Sequence, residues 1–387
     1  MNERPERKLK IAMLGQKRMP SREGGVEIVV QELSTRMAAR GHEVTCFNRT
    51  GHTSGGTTNG ADFIDAYKGV KVRRVPTLDV KGFAAMSSSV IGSLITALED
   101  FDVVHFHAEG PCATLWLPKL RGKKCIATIH GLDHRRAKWG RMASWYIKLG
   151  ERTAVKYADE IIVLSKNLQK YFLQNYGRKT VYIPNGIDRP VLREAEIIKE
   201  RFGLEKDGYI LFVGRLVPEK GLRYLIEAFK KIKTDKKLVI SGGASDSSEF
   251  VAEIRELARD DDRIIFTGFM RARLLSELYS NAYFYVLPSD LEGMPLTLME
   301  AMSYGNCCLV SDIPECMEVI EDHALTFKHG DVRSLRKQMR RLLADPALRD
   351  SYKEGATDYI CGKYGWEDVV DRTLAVYYRQ LEKDTGK

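Results

Sequence analysis

Two series of short apolar segments alternating with helical segments limit how this chain can fold. In the first series, residues 8–15 predict a strand ending at a glycine, and residues 26–40 carry apolar side chains at helical spacing before a second strand. The order begins again at Tyr209, with a strand at 209–213 and a helix at 222–231. Strands and helices that alternate in this way build doubly wound parallel sheets. The chain is therefore expected to be α/β with two such domains.

Turn residues at 184–188 (P-N-G-I-D) interrupt the pattern between the two series. They predict a first domain at 1–187 and a second at 188–366, with a C-terminal helix at about 367–387 that packs back on the first domain. The other predicted strands are 70–75, 102–107, 124–129, 160–164, 180–183, 237–241, 263–266, 283–287 and 307–310. The other predicted helices are 87–99, 296–304 and 366–382.

The composition indicates a globular protein. We expect it in the cytoplasm, either free or bound peripherally to the inner face of the cell membrane. None of the apolar runs in the 387 residues reaches the 18 residues that a membrane-spanning helix requires. The run at 11–14 is too short for the apolar part of a signal peptide. The seven cysteines form no C-x-x-C pair, which favours reduced thiols.

Positive charge is concentrated in the first half. Residues 1–190 hold 31 Lys and Arg against 18 Asp and Glu, whereas the remainder holds 30 against 34. Residues 133–157 mix bases such as Arg135, Arg136, Lys138, Arg141 and Lys148 with aromatic side chains. Such a segment suits an interfacial helix on an anionic membrane, or a helix that packs on its own domain with solvated charges. Both interpretations stay open.

The segment from Pro288 to Gly305 follows a predicted buried strand and turns at Pro295 into a predicted helix. It carries two carboxylates, Glu292 in the loop and Glu300 inside the helix. A helix start offers backbone N–H donors to an anionic or hydroxyl-rich ligand, and a carboxylate in an apolar helix needs a hydrogen-bond donor. The alternative is a strand–loop–helix unit with two solvated acids.

Three further loops follow predicted strands. Gly24 and Gly25 let a ligand approach the backbone, or serve a loop that needs positive φ; their spacing is not G-x-G-x-x-G. His130 follows strand 124–129, at the edge where parallel sheets bind ligands. His105 and His107 share one face of a strand but lack a nearby third ligand, so no metal site is predicted.

Arg215 and Lys220 lie in the loop after the first strand of the second domain. An arginine binds phosphate oxygens in a bidentate manner and a lysine binds them as a point charge. Two cations at the carboxyl edge of a parallel sheet therefore suit a diphosphate.

Five motifs occur in a fixed order: G-G at 24–25, I-H-G at 129–131, P-N-G-I-D at 184–188, V-G-R-L-x-x-E-K-G at 213–221 and E-G-M-P-L-T-L-M-E-A at 292–301. In this order, over nearly the whole chain, the sequence resembles retaining glycosyltransferases of family 4 (GT4). The G-R-x-x-x-x-K-G and E-x₇-E elements together are specific. The resemblance implies the GT-B fold, two doubly wound Rossmann-like domains that face a central cleft, with the acceptor on the first domain and a nucleotide-sugar donor on the second.

The resemblance also implies roles for individual residues. Arg215 and Lys220 would stabilise the diphosphate leaving group without a metal ion. Glu300 would bind the ribose, Glu292 the transferred sugar, and His130 the donor sugar from the first domain. The implied catalytic residues are His130, Arg215, Lys220 and Glu292. The implied donor-binding residues are Gly24, Gly25, Gly214, Arg215, Lys220, Phe269, Met270, Glu292, Gly293, Met294, Pro295, Leu296 and Glu300.

The expected reaction moves a sugar from a UDP-, GDP- or dTDP-sugar to a glycan or lipid-linked acceptor with retention, with no metal or other cofactor. The expected partners are this donor, this acceptor and an anionic membrane surface, without nucleic acid. The segment R-M-P-S-R-E-G-G-V-E at 18–27 resembles a bacterial subgroup that includes cell-surface glycan transferases such as rhamnosyltransferases. Met294 and Pro295 depart from the family pattern, so the sequence leaves the donor sugar open.

Two other functions compete with this one. A sugar-nucleotide 2-epimerase can share the fold, but it needs acid and base carboxylates at the sugar, and the sequence indicates no such pair near His130. A basic protein that binds membranes or nucleic acid would explain the charge of the first half. It would not explain the cations and the acid-bearing helix of the second.

Overall fold

A computed structural model describes residues 7–50, 64–78, 80, 83–132, 134, 140–243 and 248–385. The chain divides into two compact units, one formed by residues 1–186 with 366–387 and the other by residues 187–365. Each unit is built on one sheet.

The first unit contains an eight-stranded sheet. Its strands are β1 (Lys10–Leu14), β2 (Glu43–Arg49), β3 (Ala66–Tyr67), β4 (Val70–Val75), β5 (Val103–His107), β6 (Lys124–Ile129), β7 (Glu160–Val163) and β8 (Val181–Tyr182). Their order is β3-β4-β2-β1-β5-β6-β7-β8, and every neighbouring pair is parallel except β3 with β4. Strands β5 and β6 are buried along their whole length, as expected for central strands covered on both faces.

The helices of the first unit begin after these strands. They are α1 (Gly25–Ala39), α2 (Phe83–Leu98), α3 (Trp116–Leu120), α4 (Arg141–Tyr157) and α5 (Lys166–Tyr176). A 3₁₀ turn at Gly110–Thr114 lies between β5 and α3. Helix α1 ends before Gly41, whose φ of +85° and N–H bond to Ala38 close the helix as the sequence predicts.

The second unit contains a six-stranded parallel sheet. Its strands are β9 (Tyr209–Val213), β10 (Lys237–Ser241), β11 (Ile264–Gly268), β12 (Phe284–Leu287), β13 (Cys308–Ser311) and β14 (Leu325–Phe327), in the order β11-β10-β9-β12-β13-β14. The order reverses between β9 and β12. In open parallel sheets, ligands bind outside the carboxyl ends of the strands at such a reversal.

The helices of the second unit complete the doubly wound pattern. They are α6 (Ile197–Phe202), α7 (Leu222–Lys230), α8 (Ser248–Ala258), α9 (Ala272–Ser280), α10 (Leu296–Ser303), α11 (Pro314–Ile320), α12 (Val332–Ala344), α13 (Pro346–Lys353) and α14 (Ala356–Lys363).

The last helix, α15 (Trp366–Thr385), belongs to the first unit. It packs against α1 and β6. Arg36 donates a hydrogen bond to Glu367, and the hydroxyl oxygen of Tyr377 lies 2.6 Å from Nδ1 of His105 in β5. The first unit is therefore assembled from both ends of the chain.

Most predicted strands and helices are observed within one or two residues of their predicted ends. The helix predicted at 87–99 begins earlier, at Phe83, because the uncharged residues before Ser87 continue it. Strands β3 and β14, of two and three residues, were not predicted because they are too short to show a period.

Candidate active site

An ion pair joins the two loops at the reversal point of the second sheet. Nζ of Lys220, in the turn after β9, donates a hydrogen bond to Oε1 of Glu292, in the loop after β12, over 2.6 Å. The hydroxyl of Ser289 donates to the same oxygen over 2.6 Å. The Lys220 and Glu292 side chains are only 11% and 9% exposed. Two residues assigned separately from sequence thus form one buried contact.

Gly221 allows this contact. Its φ is +66°, and a Cβ at this position would lie 1.9 Å from the carbonyl oxygen of Pro288. The turn that carries Lys220 therefore lies directly on the loop that carries Glu292. A larger residue at 221 would push the two loops apart.

Arg215 lies in the same loop as Lys220, half-buried, two residues after β9 ends. Gly214 precedes it and packs against the ring of Phe212 and the stem of Lys220. Both predicted phosphate-binding cations thus follow one strand at the carboxyl edge of the sheet. The neighbouring residue Glu219 is also buried. Within the described part of the chain, neither of its carboxylate oxygens has a hydrogen-bond partner.

Glu300 sits in α10 as predicted, and it has a partner that the sequence does not reveal. Oε2 of Glu300 accepts a hydrogen bond from the hydroxyl of Tyr279, in α9, over 3.1 Å. Burial, reinforced by the Glu300 charge, raises the pKa of Tyr279 well above its usual value. The phenol therefore stays protonated and acts as a donor to the carboxylate.

The segment between Glu292 and Glu300 leads into α10. Pro295 is the residue that precedes the helix, and Met294, Pro295 and Leu296 are buried. Gly293 is half-buried in the loop. The helix start, with its unsatisfied N–H groups, thus lies at the carboxyl edge of the sheet, as predicted.

Phe269 and Met270 follow β11, at the same edge of the sheet but beyond β10. Phe269 is 40% exposed, and the guanidinium carbon of Arg271 lies 4.9 Å from its ring centre. Met270 is half-buried. The predicted residues of the second unit therefore lie in loops at one edge of the sheet or in α10, the helix that begins there.

Gly24 and Gly25 lie at the start of α1. Gly24 precedes the helix with a φ of −153°, and Gly25 is its first residue. The interpretation of these residues as a loop needing positive φ is therefore wrong, because both are in conformations that any residue adopts. Instead, a Cβ on Gly24 would lie 2.4 Å from a carboxylate oxygen of Glu27.

His130 follows β6 and is connected to two other buried histidines. Nε2 of His130 lies 3.1 Å from Nδ1 of His107, and the ring centres of His107 and His105 lie 4.2 Å apart, with the ring planes tilted by 33°. Burial lowers the pKa of His105 to about 3 and that of His107 well below its usual value. His105 and His107 are therefore neutral at physiological pH, and they point to the same face as predicted.

A second polar cluster in the first unit was not predicted from the sequence. Nδ1 of His134 lies 3.4 Å from a carboxylate oxygen of Glu109 and 3.3 Å from one of Glu151. Lys148 and Tyr176 both donate hydrogen bonds to Glu151. These two carboxylates, each 21 positions from His130 in sequence, form a pair that the sequence does not reveal.

The ligand atoms of Glu109, His134 and Glu151 lie within 4.8 Å of one another, close enough to hold a metal ion. The contacts to Glu109 and Glu151 raise the pKa of His134 to about 9. An imidazolium between two carboxylates, with the Lys148 ammonium beside them, already balances the charge. The cluster is therefore a buried ion-pair network.

The basic segment of the first unit is described only in part, because Arg135, Arg136 and Lys138 lie outside the described residues. Helix α4 contains Arg141 and Lys148, and it buries Ile147 while Trp145 remains 66% exposed. In the described part of the chain, no helix is long and apolar enough to cross a membrane.

Family models match both halves of the chain. Residues 23–189 match the model described as Glycosyltransferase Family 4, and residues 194–359 match the one described as Glycosyl transferases group 1. The chain is a GT4-like glycosyltransferase. These matches favour the transferase over the isomerase alternative.

Individual relatives agree with this assignment. An uncharacterized glycosyltransferase of Methanocaldococcus jannaschii is 26% identical over 409 residues, which cover 97% of this chain and 99% of the relative. A D-inositol 3-phosphate glycosyltransferase of Xylanimonas cellulosilytica is 26% identical over 396 residues, with 93% of each chain covered. The solved structure of Anabaena HepE with UDP-glucose has a TM-score of 0.79 at 16% identity, and covers 96% of this GT4-like chain and all of HepE. The predicted GT-B class, with two Rossmann-like domains, is confirmed.

Proposed function

We propose that this glycosyltransferase transfers a sugar, with retention, from a nucleotide diphosphate sugar to a glycan or lipid-linked acceptor in bacterial surface polysaccharide synthesis. The observation that carries the proposal is the Lys220–Glu292 pair at the reversal point of the second sheet. The pair brings together a cation that can bind the diphosphate of a donor and a carboxylate that can bind the hydroxyls of the donor's sugar.

In this proposal, the acceptor oxygen approaches the anomeric carbon from the side on which the diphosphate leaves, so the configuration is retained. The bond to the diphosphate breaks as the bond to the acceptor oxygen forms, and the proton of the acceptor hydroxyl passes to a departing phosphate oxygen. Lys220 and Arg215 stabilise the charge that develops on the departing diphosphate, so no metal ion is needed. An ammonium has three N–H bonds, so Lys220 can hold Glu292 and a phosphate oxygen together. Glu292 fixes the position of the ammonium and accepts hydrogen bonds from the sugar hydroxyls.

Glu300 binds the ribose of the donor in this proposal, and the Tyr279 hydroxyl sets the direction of its carboxylate. Phe269 and Met270 meet the base, and Gly293, Met294 and Leu296 supply backbone N–H donors at the start of α10. In the first unit, His130 contacts the donor sugar. Neutral His107 holds Nε2 of His130 and so determines which ring nitrogen faces the ligand.

The acceptor side is proposed to work in the cytoplasm, at the inner surface of the membrane, because the first 190 residues carry 31 Lys and Arg against 18 Asp and Glu. A lipid-linked acceptor would be reached at an anionic surface of this kind.

The test is turnover of UDP-, GDP- and dTDP-sugars, measured as release of free nucleotide. Lys220→Ala should lower kcat about 100-fold or more, as for loss of one transition-state donor. Lys199→Ala is the matched control, because Lys199 forms an exposed pair with Glu205 and should leave turnover unchanged. Turnover by Lys220→Ala within threefold of the control would refute the assignment of the site.

A further inference from the structure

Helix α2 buries mainly small residues, with Ile91 and Ile95 half-buried against the core, and leaves three large apolar residues exposed. Its buried residues are Ala84, Ser88, Ser89, Gly92, Ser93, Thr96 and Ala97. Val90, Leu94 and Leu98, spaced at i and i+4, form an exposed stripe, and Leu98 is 75% exposed. A helix on the surface of a globular protein normally presents polar side chains on its outer face.

Hydroxyl contacts hold α2 in this orientation. The hydroxyl oxygens of Ser93 and Thr114 lie 2.7 Å apart, and the Thr114 hydroxyl donates to the backbone carbonyl of Ser89. The small residues thus fit α2 closely against the 3₁₀ turn at 110–114. The stripe is therefore a fixed surface of the first unit.

Neighbouring helices add large exposed side chains. Helix α3 packs against α2, and α4 packs against α3. With the two leucines of α2, their exposed residues form what we call the apolar cluster, with exposures between 40% and 77%: Leu94, Leu98, Trp116, Leu120, Met142 and Trp145. Helix α2 itself carries no charged residue between Phe83 and Leu98.

Positive charge accompanies the cluster. Residues 110–157, which include α3 and α4, contain eleven Lys and Arg but only two Asp and Glu. One of these acids, Glu151, is fully buried and bound to Lys148. Tryptophan prefers the boundary between lipid and water, and basic residues beside it are attracted to anionic headgroups.

A second copy of the chain fits this surface poorly. A two-fold interface places the same patch of both subunits together, so the basic segments at 110–157 would face each other. The positive charges of the two subunits would repel each other, whereas an anionic lipid surface would neutralise them.

We infer that the apolar cluster inserts into the headgroup region of an anionic membrane, with α2 lying along the surface. This deepens the proposed function and rests on it, because a lipid-linked acceptor would be presented at that surface. The attachment is interfacial and reversible: side chains enter the lipid, while the helix backbone stays at the boundary.

The test is co-sedimentation of the full chain with vesicles of phosphatidylcholine, alone or mixed with phosphatidylglycerol. Binding should increase with the phosphatidylglycerol fraction and decrease with salt. Leu94→Gln/Leu98→Gln should weaken it about tenfold or more, because two partly inserted leucines are lost, without changing its dependence on salt. Both leucines are exposed, so thermal stability should change little.

Val191→Gln/Leu192→Gln is the matched control, because these residues of the second unit are 66% and 64% exposed. It should bind vesicles like the wild type. Equal binding by the α2 variant and this control would overturn the inference, as would the absence of vesicle binding in the wild type.

Two further measurements separate the alternatives. If the wild type is a dimer that Leu94→Gln/Leu98→Gln converts to a monomer without an effect on vesicle binding, the cluster is a self-association surface and the inference is wrong. Nucleotide release from soluble donors should be equal in wild type and variant. If neither the wild type nor the variant releases nucleotide, the proposed function is refuted, while the vesicle result still stands.

Discussion

Removal of one partner from the Lys220–Glu292 pair should lower the free energy of unfolding of the second unit. The size of the loss follows from the burial of the pair. Lys220→Met keeps most of the side-chain volume but leaves the Glu292 carboxylate, only 9% exposed, without its ammonium. Breaking a buried pair from one side costs about 3–5 kcal/mol. Because Ser289 still donates to Glu292, the lower end applies, and we expect a loss of about 3 kcal/mol.

Replacement of both partners should cost much less. A buried ion pair is close to break-even against neutral side chains of similar shape, so Lys220→Met/Glu292→Gln should lose about 1 kcal/mol. Glu292→Gln alone should cost about 1 kcal/mol, because the amide oxygen still accepts a hydrogen bond from the Lys220 ammonium. The two single losses together then exceed the loss in the double variant by about 3 kcal/mol, which is the expected coupling energy. The cycle is measured by urea unfolding, followed through hydrogen exchange in peptides from β9 and β12, so that the second unit is observed by itself. Effects that add within about 0.5 kcal/mol would show that the pair does not form in solution.

The remaining predictions concern the site and the buried network of the first unit. Sugar transfer should continue in excess chelator, because Arg215 and Lys220 supply the positive charge; abolition that Mn²⁺ or Mg²⁺ reverses would contradict this. Glu300→Gln should raise KM for the donor about tenfold with little change in kcat, since a charge-assisted bond to the ribose is lost; an unchanged KM would remove Glu300 from the ribose site. His134, which faces Glu109, Glu151, Lys148 and the Tyr171 ring, has a folded-state pKa of about 9 against 6.5 unfolded. Its contribution to stability should be complete below pH 6.5 and disappear as pH rises through about 9; thermal unfolding of His134→Gln should lack this dependence.

The sequence predicts the fold well because the central strands are continuous apolar runs. Strand β9 is the segment Y-I-L-F-V, buried along its length, and it is followed by a glycine and then by an amphipathic helix. A buried parallel strand needs such a run, so its position can be predicted without knowledge of its neighbours. Short edge strands such as β3 depend on pairing with β4 and leave no comparable pattern.

The site was predictable only as separate residues. Motif spacing identifies Lys220, Glu292 and Glu300, but it does not show that Lys220 bonds to Glu292 or that Tyr279 donates to Glu300. Lys220 and Glu292 are 72 positions apart in sequence, and Tyr279 and Glu300 are 21 positions apart. The geometry of both contacts depends on which strands become neighbours. Nothing in the sequence therefore indicates that this loop lysine has a buried partner.

The inward polar face of α2 illustrates another limit. Its hydrophobic residues predict a helix, but periodicity alone suggests that all the large residues face the core, whereas Val90, Leu94 and Leu98 are exposed. The orientation depends on the close fit of Ser89 and Ser93 to the 3₁₀ turn, which becomes visible only in the packed structure.

The return of α15 to the first unit affects the order in which the nascent chain can fold. The second unit, residues 187–365, is complete before α15 is synthesised, whereas the first unit lacks the Tyr377 partner of His105 until α15 has emerged. Domains usually fold in order from the amino terminus during synthesis. Here the carboxyl-proximal unit should become protease-resistant on the ribosome first, and the amino-terminal half should follow only once α15 is released.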